Sequence, residues 1–300
     1  MPIALNDRQR RLLKHSLIVI GLVFGAYLFL VSEAQKGSAA YDIVAYYLVN
    51  PANPYTGANV GDLGFFGYAP PIALLLAPFQ ALPWLWFVTL WYTILGAAVA
   101  WLGRRDFLAV LAFPPVAIDL YHGNIHLLLA VAIALSFRYP AAWSAVLLTK
   151  ITPGVGLLWF AVRREWRNLA IALGVTGAIV AATFVVMPAQ WISWFAMLAD
   201  SAGTAPPWPA LPIPLLLRLP VAALIVVWGA RTNRRWTVPA AAALSVPALW
   251  PGSFAILAAC WRLSPAADGY HAPDGVRSGS FVRAFRGALT RVVRPRPGEA

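Results

Sequence analysis

The chain has 300 residues, of which 60% are hydrophobic and only 11% charged, with a net charge of +12 and a mean hydropathy of +0.69. Soluble domains carry about 25% charged residues, so this composition excludes an ordinary soluble domain and calls for lipid as solvent. The basic residues flank apolar runs instead of forming one patch, which excludes nucleic acid as the partner, and the single Cys260 excludes a disulfide framework or a multi-cysteine metal site.

In chain order, Arg8, Arg10, Arg11 and Lys14 precede an apolar run over 17–31. Many apolar runs follow and no small-x-small site ends the first, so it reads as a retained signal-anchor helix and not a cleaved signal peptide. A helix needs about 20 apolar residues to cross a bilayer. About ten crossings are expected on that count, the first at 13–32. The others lie at 65–82, 84–102, 106–121, 125–137, 141–161, 168–187, 211–230, 236–250 and 252–262. The expected fold class is therefore all-α, a polytopic membrane domain over 1–262. The remainder, 263–300, is polar and basic without apolar periodicity, and reads as a disordered or surface-lying tail.

The positive-inside rule sets the expected orientation. With the N-terminus in the cytoplasm, Arg163, Arg164, Arg167, Arg231, Arg234 and Arg235 fall inside, with the arginines of the tail. Arg104, Arg105, Arg138 and Lys36 go against the rule, and the inverted topology does worse. This predicts a multi-pass plasma-membrane protein with both termini cytoplasmic. Residues 33–64 and 188–210 become external loops, the second carrying Trp191, Trp194 and Trp208. No Gly-rich phosphate loop, Walker motif or metal-ligand cluster is present in the sequence.

Ionisable groups inside spans cost about 2.5–3.5 kcal/mol on insertion scales. Lys150 sits in the middle of "AVLLTKITPGVGLL" and Arg218 interrupts "PIPLLLRLPVAAL". Lys150 lies roughly 13 Å from either end of its run at 1.5 Å per residue, a long reach for a snorkelling lysine; Arg218 is nearer an end. Both are expected on the same side as Asp42. Two cations below an external carboxylate suggest an anion held at headgroup depth, such as a lipid phosphate. In "DLYHGNIHLL", Asp119, His122, Asn124 and His126 crowd into an apolar region. That segment reads either as an intramembrane loop against a wet cavity or as an ordinary turn at Gly123.

Asp42 opens the segment "YDIVAYYLVNPANPYTG", where it serves either as the cap of a short interfacial helix or as a reactive carboxylate. The segments "YDIVAYY" with Asp42, Tyr46 and Tyr47, "NPYTG" at 53–57 with Tyr55, and "FGYAPPIALLLAPF" at 66–79 with Tyr68 occur in order. "GN" at 123–124 and "LLTKITPGVGLLWFAVRREWR" at 147–167 follow. Together, over about residues 13–200, they resemble glycosyltransferase family 87.

The resemblance implies a GT-C type helical bundle and a polyprenyl-phosphate sugar donor. It implies transfer of mannose or arabinofuranose to an envelope glycolipid or glycan acceptor on the external face. It also implies that Asp42 is the general base, since the acidic residue of the first external loop has that role in the family. Lys150 and Arg218 are then candidates for holding the donor phosphate. Tyr46, Tyr47, Tyr55, Tyr68, His122, Asn124 and His126 are candidates for lining the cavity. No cofactor is expected, although a divalent cation is compatible with the phosphate. The chain is short against the family's usual extent of further C-terminal spans. A shortened non-catalytic scaffold therefore stands as an alternative, beside a transporter or flippase of lipid-linked sugars. A transporter predicts internal repeats, and "YDIVAYY" and "KITP" have no second copy.

Overall fold

The computed structural model describes residues 6–201 and 209–263. The expected tail, apart from Leu263, and Trp208 lie outside the described residues. Every regular element among the described residues is helical.

The first helix, Asp7–Tyr27, begins with a reciprocal cap. Asn6 Oδ1 accepts from the Gln9 N–H at 2.8 Å, and Gln9 Oε1 accepts from the Asn6 N–H at 2.9 Å. It continues through a π-helical turn, Leu28–Ser32, into Glu33–Lys36, and stops where Gly37 takes a left-handed φ of 58°. Three helical stretches are long and apolar enough to cross a membrane: Asp7–Gln35, Trp84–Leu111 and Trp166–Val186. Their apolar side chains point largely outward, as at Leu17, Ile20, Val23, Leu85 and Val185. Lipid is the medium in which such a surface costs nothing.

The other expected spans are broken into pieces, and proline is the cause at most breaks. Pro70, Pro114, Pro140, Pro153 and Pro251 each sit in the first turn of a short helix. Their missing N–H costs nothing there, whereas further in it removes a helical hydrogen bond, as at Pro220 inside Leu215–Arg231. The expected crossings 106–121 and 125–137 are the helices Pro114–His122 and His126–Ser136, of 9 and 11 residues, bent by 119° against each other. At 1.5 Å per residue neither reaches across about 30 Å of hydrocarbon alone; joined, they make a broken span or a re-entrant loop. Counting that pair as one span brings the total to four. The expected single helix 141–161 is likewise Trp143–Thr149, a 3-10 helix Thr152–Leu157, and Leu158–Val162.

The short helices form the interior. Pro114–His122 and His126–Ser136 both pack on the 3-10 helix Pro251–Ala258, and Thr237–Leu244 packs between Leu215–Arg231 and Thr152–Leu157. Trp143, Tyr46, Phe87, Ile43 and Leu249 are among the buried side chains of the largest core cluster. Against this interior the first helix lies close. A Cβ on Gly21 would collide with the Ala112 carbonyl, so glycine there permits the approach. Lys14 Nζ reaches Asp106 Oδ1 at 2.7 Å.

Candidate functional site

The site assembles where three breaks in the helical pattern meet. The first is the entry to the helix Tyr41–Leu48. Ala40 holds a left-handed φ of 59° just before it, a conformation that alanine adopts only when its surroundings impose it. Here the surroundings are polar. Glu33 Oε2 accepts from the Ala39 N–H at 2.6 Å and from the Tyr121 hydroxyl at 2.8 Å. The Ala40 N–H donates to the Tyr121 carbonyl at 2.9 Å, and Ser38 Oγ lies 3.0 Å from the Tyr121 hydroxyl. Glu33 and Tyr121 therefore fix the turn that delivers Asp42.

The second break is the bend at 122–126. Gly123 has a φ of 70°, and a Cβ there would run into Ile43, so the bend packs directly against the helix that carries Asp42. The Trp91 indole N–H donates to the Gly123 carbonyl at 2.7 Å. Asn124 Oδ1 accepts from the Ile125 N–H at 2.7 Å. That leaves the Asn124 amide N–H groups for the Asp42 carboxylate, to which the side chain is hydrogen-bonded.

The third break is at Lys150. Thr149 ends its helix and Lys150 takes an extended conformation, φ −143° and ψ 113°. Pro153 has no N–H to give the Thr149 carbonyl, so the helix cannot continue. The sequence reading placed Lys150 inside one continuous span; it stands instead at a junction between two helices. From there its ammonium acts electrostatically on Asp42, as His122 does. Asp42 is half-buried. Burial pushes its carboxyl above the ordinary carboxylate value; Asn124, His122 and Lys150 oppose that shift without cancelling it.

Beneath Asp42 lies a fully buried polar row. Asp119 Oδ1 is 2.8 Å from His126 Nδ1, and Asp119 Oδ2 accepts from the Leu127 N–H at 3.2 Å. His126 Nε2 is 3.4 Å from Ser253 Oγ. An Asp119 carboxylate only accepts, so Nδ1 carries the imidazole proton and Nε2 faces the Ser253 hydroxyl as acceptor. Tyr46, one turn beyond Asp42, packs its ring at a tilt against Trp91, with centroids 4.7 Å apart, and its hydroxyl meets the Tyr68 hydroxyl at 3.2 Å. The Tyr55 hydroxyl donates to the Tyr68 carbonyl at 2.8 Å.

The structure thus gathers Asp42, His122, Asn124, His126, Lys150, Tyr46 and Tyr68 into one neighbourhood. Three expected residues spend their polar groups elsewhere: Tyr55, on the Tyr68 carbonyl as just described, Tyr47 and Arg218. The Tyr47 hydroxyl donates to the Leu82 carbonyl at 3.1 Å, and its ring packs on Trp84 and Phe87. Arg218 is buried and spends its guanidinium on main chain. Nε donates to Ile213 at 2.8 Å, Nη1 to Leu244 and Val246, and Nη2 to Pro247 at 2.8 Å. Four of five donors are taken, so main chain occupies most of the guanidinium that the sequence reading offered to the donor phosphate. The charges that act on Asp42 are those of His122 and Lys150, and Arg218 is not among them.

Sequence reasoning left Asp119 out of the expected site although it noted the crowding, and it missed Glu33, Tyr121 and Ser253. Asp119 had a signal, a carboxylate seven residues before a histidine across a glycine turn. Glu33 and Tyr121 are 88 residues apart and had none.

The described chain is thus an all-helical membrane protein with a carboxylate and a lysine at breaks in its helices. The profile of glycosyltransferase family 87 matches residues 65–268. That is more than half of the chain, and the protein belongs to this family of membrane glycosyltransferases. The match runs past residue 200, where the resemblance in the sequence ended, and takes in both histidines of the bend and Lys150. It starts at residue 65, downstream of Asp42. No curated protein and no solved structure gives a significant match.

Proposed function

We propose that the protein transfers a sugar from a polyprenyl-phosphate donor to a glycolipid or glycan acceptor at the external face of the plasma membrane. The observation that carries this reading is the convergence of Asp42 and Lys150 at the bend. A carboxylate held above its ordinary pKa and backed by Asn124 and His122 suits proton abstraction. A lysine beside it suits a phosphate whose negative charge grows as its bond to sugar breaks. In the reaction, Asp42 takes the proton of an acceptor hydroxyl and the hydroxyl oxygen bonds to the anomeric carbon. The bond from that carbon to the phosphate oxygen breaks, and polyprenyl phosphate leaves with its electron pair. One displacement inverts the anomeric centre, and because the leaving group is already a stable anion, no second carboxylate acid is required.

The same reading takes the fold as a GT-C type bundle in which the broken pieces complete further crossings, with both termini cytoplasmic. Mannose and arabinofuranose are the sugars it favours. The test is product formation by the purified protein from a polyprenyl-phosphate sugar. Transfer that needs both donor and acceptor supports the reading. Movement of the donor between leaflets of a vesicle without transfer would replace it with a flippase.

A further inference from the structure

A separate cleft of about 580 Å³ lies between the loop after the Asp42 helix and the helix Pro188–Ser201. This is the size of a small-molecule site, about 300–1,000 Å³. One wall carries Asn59, Tyr55 and Phe65; the other carries Gln190, Ser193 and Asp200. The walls are tied together, since Gln190 Nε2 donates to the Ala52 carbonyl at 3.0 Å.

Both walls are also anchored to the candidate site. Tyr55, in the cleft, donates to the Tyr68 carbonyl, and the Tyr68 hydroxyl meets Tyr46, one turn from Asp42. The indole N–H of Trp194 donates to the Gly67 carbonyl at 3.3 Å, and the Ala69 N–H donates to the Leu148 carbonyl at 3.0 Å, two residues before Lys150. The cleft thus holds a fixed position relative to the groups assigned to base and donor phosphate.

Its chemistry selects the occupant. Amides, hydroxyls and one carboxylate supply paired donors and acceptors that suit vicinal hydroxyls, and Tyr55 and Phe65 supply apolar ring faces. No lysine or arginine lines it among the described residues. An anion such as the donor phosphate would find no counter-charge there, whereas a neutral polyhydroxylated chain needs none. We infer that this cleft binds the saccharide portion of the acceptor and directs its terminal hydroxyl towards Asp42. The inference rests on the transferase reading for its direction, and on the cleft alone for its ligand class.

The experiment is saturation-transfer NMR on the purified full chain in detergent, with neutral manno- and arabino-oligosaccharides as probes and no donor present. Wild type and Asp42→Asn are expected to give transfer from at least one probe. Ser193→Trp and Thr56→Trp, which fill the cleft from opposite walls, are expected to lower it at least tenfold at unchanged elution and melting behaviour. Inorganic phosphate does not displace the probe. No signal from either probe in wild type, displacement by phosphate, or an undiminished signal in both tryptophan variants overturns the inference. The assay contains no donor, so retained saccharide binding in a protein that transfers nothing would sink the transferase reading and leave the cleft assignment standing.

Discussion

Asp119 and His126 meet at 2.8 Å across the bend between their helices, and neither exposes its side chain to solvent. With Nε2 an acceptor the imidazole is neutral, so losing Asp119 strands a buried N–H donor, which costs about 1–3 kcal/mol. Asp119→Ala also strips the acceptor from the Leu127 N–H. It should lower the melting temperature and the membrane abundance far more than Asp119→Asn, which keeps an acceptor for that N–H. Equal melting of the two variants would show that the pair does not hold the bend.

Arg218 gives a second, opposite expectation to that of a substrate ligand. Its guanidinium gathers carbonyls from Ile213, Leu244, Val246 and Pro247. A lysine presents a point charge and cannot reproduce that fork. Arg218→Lys and Arg218→Met should therefore both destabilise the protein strongly, and the fraction that survives should bind donor with an unchanged KM. A raised donor KM in a variant of wild-type stability would return Arg218 to the phosphate.

The composition made the membrane class and the helical fold readable, because 11% charged residues leave no other way to solvate so much apolar surface. The number of crossings was harder to read. Hydropathy windows see Leu147 to Trp159 as apolar, but Pro153 divides that run into pieces that a window does not register. The convergence of Asp42, His122, Asn124 and Lys150 was half legible. Each residue was conspicuous as a charge or amide in an apolar neighbourhood, while their meeting depends on Gly123 letting the bend touch Ile43. Arg218 was conspicuous for the same reason and misled, since a buried arginine satisfied by carbonyls and one awaiting an anion look alike in sequence.

Lys150 stands at a helix break, and its charge acts on the carboxyls of Asp42 and Asp119. Lys150→Met keeps the length of the side chain and removes the charge. If the ammonium holds the donor phosphate, donor KM should rise by about tenfold or more, and kcat should fall because charge on the leaving phosphate loses its partner. Acceptor KM should change little. An unchanged donor KM and kcat would make Lys150 a structural counter-ion of the two carboxylates.

Asp42→Asn tests the base directly. The cap role that the sequence allowed is not the one the structure shows, since Ala40 is the cap position and Asp42 lies inside the first turn; the amide preserves the shape of the side chain there, so the variant should fold and insert. It cannot take a proton, and general-base assistance is worth about 10²–10⁴-fold; transfer should fall at least about a hundredfold at equal membrane abundance. The pH dependence gives an independent check. Burial raises the Asp42 carboxyl above 3.8, the usual value for the group. Only the ionised form accepts a proton, so the wild-type rate should fall on the acid side with a midpoint above that value. The sign for stability is the reverse. The folded state holds the Asp42 proton more tightly than the unfolded chain does, so Asp42 contributes stability when protonated and loses it as pH rises through the raised pKa. Asp42→Asn, which never ionises, should lack both that loss and the acid limb of whatever activity remains. A variant that transfers sugar within a few-fold of wild type, with the same acid limb, would remove Asp42 from the chemistry and leave it as an acidic residue in the first turn of its helix.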